Sequence, residues 1–291
     1  MKGIIKDKKK KTPSRSPLFE KGDLIQDTSG AKRTSLLLGK YTIKEAGSVL
    51  RKKSFYREAK KRGLWPIDFD LDSSQYPPLQ RLLIYYKHKD PDTIIVDLKI
   101  REGIFESQKD FPTEERISKF LVLEWLTLQN PRQEFGEQKT PLPGQKYPGL
   151  NLGKKVLDLF YYLARLNKDK GIIAYPAYFH NALLFSRYFD FMCPEKKAEV
   201  EAIKDTVEKI TFKELAWIVH LNCLRDHQGN PYKWEAEEMV FPIDKRLKNY
   251  FSSKKYKREV KKAKEELKYF VDWDCFHKKS DRIRRSQSQN S

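Results

Sequence analysis

Apolar residues fall into two rhythms along this chain, and each predicts its own elements. Between Thr93 and Ile100, Ile94, Val96, Leu98 and Ile100 alternate with Asp97 and Lys99, which predicts a strand with one buried face. Ahead of it Lys89-Asp90-Pro91-Asp92 has turn composition, so Leu82–Tyr86 fits either the partner strand or a helix begun by Pro78. The nearly continuous run Phe120–Leu128 fits a central strand or a buried helix. Gly171–Pro176 and Met239–Pro242 are further strand candidates, and Ser35–Gly39 is a short one.

The helical rhythm is as clear in other stretches. Thr42 with Glu45, and Thr211 with Glu214, have capping-box spacing. The first opens one or two helices that end near Gly63; the second opens a helix with Leu215, Ile218, Val219 and Cys223 on one side. Val156, Leu157, Phe160, Leu163 and Ala164 recur at helical spacing. From 244 to 271, Lys and Glu surround Leu247, Tyr250, Phe251, Val260, Ala263, Leu267 and Phe270, the pattern of a charged amphipathic helix.

The richest stretch runs from Gln145 to Phe191. In Pro148-Gly149-Leu150-Asn151-Leu152-Gly153-Lys154 the two glycines and the asparagine tolerate positive φ, so successive amides can line one concavity. The helix that follows would add the partial positive charge of its N-terminus, which makes an anion site. His180-Asn181 then supplies an imidazole able to relay protons near neutral pH and an amide able to hold a carbonyl.

This stretch resembles the acyl-CoA loop of the GNAT (GCN5-related N-acetyltransferase) superfamily, Arg/Gln-x-x-Gly-x-Gly followed by a helix. Aligned on Gly153, the chain keeps the last glycine and the Val156-Leu157 pair, while Pro148 stands where a basic or amide residue is expected and Asn151 where a glycine is. His180 to Phe191 looks like the superfamily's next helix, Asn-x-x-Ala-x-x-x-Tyr-x-x-x-Gly-Phe. Its asparagine is displaced, Ser186 or Phe185 falls where the acid tyrosine often sits, and Asp190 replaces the glycine.

The resemblance implies a divergent member: an α/β fold with a mixed, mostly antiparallel sheet flanked by helices, carrying basic N- and C-terminal extensions. It implies acetyl-CoA or another acyl-CoA as co-substrate and transfer of the acyl group to an amine. Gly149, Leu150, Asn151, Leu152, Gly153 and Lys154 would surround the pyrophosphate, with Lys146 and Lys154 adding charge and Asn181 nearby. Phe120–Leu128 would be the strand whose splayed end meets the pantetheine arm, so Leu126 and Leu128 would border the ligand. Glu124 is then the carboxylate placed to act as general base, with His180 as the other candidate. The Pro-rich stretch from Asn130 to Tyr147 reads as a lid, a substrate-side loop or a structural excursion.

Composition changes this picture in three ways. The 291 residues, 39% hydrophobic and 34% charged, are enough for one large core, and no apolar run is long enough to span a bilayer; the expectation is a cytoplasmic protein without membrane insertion. Cys193, Cys223 and Cys275 are widely spaced and predict neither a disulfide framework nor a zinc site, and no histidine pair has metal-ligand spacing. The net charge of +19 is concentrated at the ends, +6 in residues 1–16 and +7 in residues 252–291. That supports a competing reading, a non-catalytic domain that binds nucleic acid or another polyanion through basic tails. The resulting organisation is a disordered basic tail over 1–35, a GNAT-like domain over 36–243, and a charged helical and disordered extension over 244–291.

Overall fold

A computed structural model describes residues 34–106, 117–136, 140–206 and 210–288. The basic run at 1–16 lies outside the described residues. The chain opens with helices α1 (Ile43–Lys52) and α2 (Phe55–Lys61) and strands β1 (Ile67–Asp72), β2 (Gln80–Tyr86), β3 (Ile94–Glu106) and β4 (Ile117–Leu128). Helix α3 (Gly153–Leu166) leads to β5 (Gly171–Ala174), α4 (Phe179–Phe185) and β6 (Asp190–Phe191). Then come α5 (Pro194–Thr206), α6 (Phe212–His220), β7 (Leu224–Asp226) and β8 (Met239–Pro242). The last elements are α7 (Lys245–Ser252), α8 (Lys254–Glu265), β9 (Tyr269–Val271) and α9 (Trp273–Ser288).

Seven strands form one sheet in the order β1-β2-β3-β4-β5-β8-β6, and β7 pairs separately with β9. Every pairing in the large sheet is antiparallel except β4 with β5, which α3 connects as the crossover a parallel pair requires. The fold is thus mixed α/β with a mostly antiparallel sheet flanked by helices, which is compatible with the GNAT-like expectation.

Alternation along the central strands splits the core in two. Leu121, Leu123, Ile172 and Ala174 face a large cluster with Leu50 of α1, Phe160 of α3, Phe179 of α4 and Ile218 of α6. Phe120, Val122, Ile173 and Val240 face a second cluster with Leu247 and Phe251 of α7 and Tyr256 and Val260 of α8. Tyr256 is 1% exposed and its hydroxyl donates to the Phe191 carbonyl at 2.5 Å, so α8 is fastened to the sheet as well as packed on it.

Both capping boxes form: Glu45 N–H donates to Thr42 Oγ1 at 3.2 Å, and Glu214 N–H to Thr211 Oγ1 at 3.2 Å. The stretch 82–86 is a strand, and 120–128 lies within β4. Other expectations are corrected. Ser35–Gly39 is a tight turn with a single bridge between Leu37 and Tyr41, because Leu38 and Gly39 take φ of 55° and 65°. The helix foreseen over 244–271 breaks at Ser253, whose extended backbone (φ −65°, ψ 149°) and Oγ cap α8 through Tyr256 N–H. Cys223 and Cys275 are joined in a disulfide, their Cα atoms 5.6 Å apart, because the β7–β9 pairing brings segments 52 residues apart together. Among the described residues no helix is long and apolar enough to cross a membrane.

Candidate functional site

The site begins where two strands part. β4 and β5 pair from Phe120↔Gly171 to Leu123↔Ala174 and no further. On its other side β4 pairs Leu123 with Ile100 and Trp125 with Lys99, so Glu124 is the extra residue of a β-bulge. Such a bulge bends the strand that carries it and ends regular pairing. Beyond it residues 124–128 run along β3 while β5 ends at Ala174, and the edge of β4 left without a strand partner past that point forms the wedge of the site.

The far end of the wedge is closed by the glycine-containing loop. Gln129 bridges to Gly149, Asn130 N–H donates to the Pro148 carbonyl at 2.7 Å, and Leu150 N–H donates to the Leu128 carbonyl at 3.1 Å. Leu150 and Leu152, 1% and 4% exposed, anchor the loop in the core between these bonds and α3. Among the described residues the amides of Asn151, Leu152, Gly153 and Lys154 have no hydrogen-bond acceptor, and no side chain caps α3 at Leu152. Unsatisfied donors at the start of a 14-residue helix suit an anion.

The glycines do not contribute as the sequence suggests. Asn151 alone in the loop takes positive φ, 55°. A Cβ on Gly149 or Gly153 would meet nothing closer than 3.9 Å or 3.8 Å, both ordinary contacts. The asparagine standing at a glycine position of the resemblance therefore supplies the left-handed turn itself. Leu126 and Leu128 pack their side chains into the large core cluster, which leaves their main chain at the wedge. Lys146 lies against Asp92 at 3.0 Å with its side chain 70% exposed, whereas Lys154 has no ion pair among the described residues.

Four polar side chains meet at the apex. Leu123, Ala174 and Met239 lie in one row across β4, β5 and β8, so Glu124, Tyr175 and Glu238 stand one step beyond it. Arg101 of β3 donates from Nε to Glu124 Oε1 at 2.7 Å. The Tyr175 hydroxyl is 3.5 Å from Glu238 Oε1, a long contact. Burial, then Glu238, pushes the tyrosine's pKa up, with Arg101 and Glu124 also close enough to act on it. Glu238, 7% exposed, has its pKa raised chiefly by loss of solvent.

Arg101, Tyr175 and Glu238 are not legible in the sequence as site residues. Tyr175 follows one strand candidate and Glu238 precedes another, and only the pairing of β5 with β8 makes them neighbours.

His180 stands in the first turn of α4. It is 3% exposed, its ring stacks on Tyr178 with centroids 5.3 Å apart, and burial together with nearby His220 pushes its pKa down to about 4. Its imidazole is therefore neutral at physiological pH. Asn181, beside it on α4, is half-buried. The Pro-rich stretch docks over this aromatic group: Trp217 Nε1–H donates to the Pro141 carbonyl at 2.9 Å, and Gly144 (φ 76°) lies so close to Tyr178 that a Cβ would come within 2.4 Å of its hydroxyl. On the other flank Trp234 Nε1–H donates to the Pro176 carbonyl at 2.9 Å.

Among the described residues no group of three or more His, Cys, Asp or Glu side chains is placed to share a metal ion. No protein-family model matches the chain, and a search of curated proteins finds no relative.

Proposed function

We infer that the chain is a GNAT-like N-acyltransferase that seats acetyl-CoA or another acyl-CoA in the wedge between β4 and β5. The observation that carries this reading is the conjunction of the bulge at Glu124 with the acceptor-free amides of 151–154 at the other end of the same wedge. In this reading those amides, with Lys154, hold the pyrophosphate, and the edge of β4 that faces away from β3 between Glu124 and Thr127 accepts the pantetheine arm as an added strand.

The thioester carbon then lies at the apex. Glu124, held by Arg101, takes a proton from the acceptor amine, directly or through a water, as nitrogen bonds to the carbonyl carbon. When the carbon–sulfur bond breaks, the Tyr175 hydroxyl, which in the free protein donates toward Glu238, supplies a proton to the thiolate and regains one from solvent, to which Glu124 releases the proton taken from the amine. Tyr175 thus stands in for the tyrosine that the next helix lacks. His180 positions Tyr178 by stacking and takes no proton in this scheme. The acceptor is an amine whose identity these residues do not select.

Acetyl-CoA at about 100 times its dissociation constant is expected to stabilise the protein by about 2.7 kcal/mol, read as a rise in melting temperature. Asn151→Glu should abolish that rise by placing a carboxylate against the pyrophosphate. No rise with millimolar acetyl-, succinyl- and longer acyl-CoA would end the reading. For the chemistry, Tyr175→Phe should lower kcat for CoA release in the presence of an amine panel by about 100-fold with little change in KM for the thioester. A matching rise in KM instead would make Tyr175 a binding residue.

A further inference from the structure

Helix α8 turns two unlike faces to its surroundings. Tyr256 and Val260, 1% and 6% exposed, with half-buried Ala263, define a stripe that is spent on the sheet and α5. At 3.6 residues per turn, Lys254, Lys255, Lys257, Arg258, Lys261 and Lys262 occupy about 160° of the opposite side. All six are exposed. The acidic residues of the helix are Glu259, at the border of that face, and Glu265, one turn past Lys261 at its end. Lys245 and Lys248 of α7 are exposed as well.

Some cations of the fold are offset by a carboxylate and others, such as Lys44, Lys52 and Lys53, have no such partner among the described residues; what sets α8 apart is that six unpaired ones gather on a single face. Lys40, Lys61, Lys89, Lys146, Lys197 and Lys264 each lie within 4 Å of a carboxylate. None of the six on the outer face of α8 takes part in an ion pair among the described residues. Six like charges at spacings of one turn repel one another, and Glu259 and Glu265, each a turn away from some of them, come within 4 Å of none of the six and are too few to offset the repulsion. A partner carrying a regular row of negative charges would offset it.

We propose that the outer face of α8 is a docking surface for the phosphodiester backbone of nucleic acid, bound without regard to sequence. Successive cations along the helix are about 4.5 to 6 Å apart in rise, which suits a linear array of phosphates. An anionic membrane fits less well: an interfacial helix buries its apolar face in lipid, and here that face is already covered by the protein's own core. An acidic or phosphorylated peptide fits less well too. Forked, bidentate recognition favours arginine, and this face has five lysines to one arginine.

The test uses the full chain. Dissociation constants for a 25-base-pair DNA duplex and an RNA duplex of the same length are measured by fluorescence anisotropy from 50 to 200 mM salt. The charge-reversed variant Lys254→Glu/Arg258→Glu/Lys261→Glu is compared with Lys44→Glu/Lys52→Glu/Lys53→Glu on α1 and its end, which changes net charge by the same amount. The expected result is at least a tenfold loss of affinity for both duplexes in the α8 variant, with the slope of log K against log salt smaller by about 3, and a much smaller loss in the α1 variant. Equal losses in the two variants would reduce the effect to overall charge and overturn the proposal. So would unchanged binding in an α8 variant whose melting temperature is that of the parent, or loss of binding to phosphatidylserine vesicles while duplex binding persists.

Discussion

Adding a reductant should lower the unfolding free energy of this protein by about 4 kcal/mol, the loop-closure value for a crosslink spanning 52 residues. The Cys223–Cys275 bond fastens the end of α6 to the start of α9, where Arg225 also clamps Asp272 from Nε at 3.1 Å and Nη2 at 2.8 Å. Cys223 is fully buried, so most of the cost should appear as a lower urea midpoint and less as a change of native contacts. Cys223→Ser/Cys275→Ser should reproduce the effect of the reductant and be insensitive to it. A thiol titration in denaturant decides the matter independently: one free thiol, Cys193, is expected without reductant and three with it. Three thiols in the untreated protein would show that the bond does not form in the surroundings where the chain matures.

Replacing Asp169 by asparagine should stabilise the protein at pH 8 by up to about 4 kcal/mol and leave it almost unchanged at pH 4. Asp169 is 3% exposed, and among the described residues neither carboxylate oxygen has a hydrogen-bond partner within 3.5 Å, although Asn167, Lys40 and Lys119 lie near enough to ease its ionisation a little. Burial, with Glu102 adding repulsion, raises its pKa to about 7. The unfolded chain releases this proton near pH 4, whereas the folded chain keeps it until about pH 7. Between those values the native state binds more protons, so stability falls as pH rises and the full penalty is present above pH 7. The asparagine keeps the shape and the backbone bond to Ala164 and has no proton to lose. Identical melting temperatures for the two proteins at pH 8 would show that Asp169 finds a counter-charge or water when ionised.

What could be read from the residues divides along the range of the interactions involved. Thr42 with Glu45 and Thr211 with Glu214 are satisfied within one turn, so spacing alone identifies them. The alternation in β3 and the apolar run in β4 report burial, and burial follows from side-chain type. β1 does not stand out in the sequence although Ile67, Phe69 and Leu71 alternate with aspartates, because a six-residue edge strand offers too short a pattern. The candidate site shows the same division. Glu124 and the loop at 148–154 draw attention through local pattern, but the Arg101 partner of Glu124 depends on strand register and on a bulge of one residue. Tyr175 and Glu238 are 63 residues apart and become neighbours only through β8. That Asn151 and not Gly149 or Gly153 takes the positive φ is not legible in the loop, because φ is a property of tertiary context as much as of residue type.

The position of β8 in the sheet also bears on how the chain comes to be folded during synthesis. β5 is buried along its whole length, yet the strand that covers its outer edge arrives only with Met239–Pro242, after α4, β6, α5, α6 and β7 have been made. Until then a nascent chain holding β1 to β5 presents the row Gly171-Ile172-Ile173-Ala174 as an open apolar edge, the kind of template that pairs with other chains. Ribosome-bound intermediates that stop between residues 191 and 238 should therefore be the aggregation-prone ones, and extension past Pro242 should rescue them.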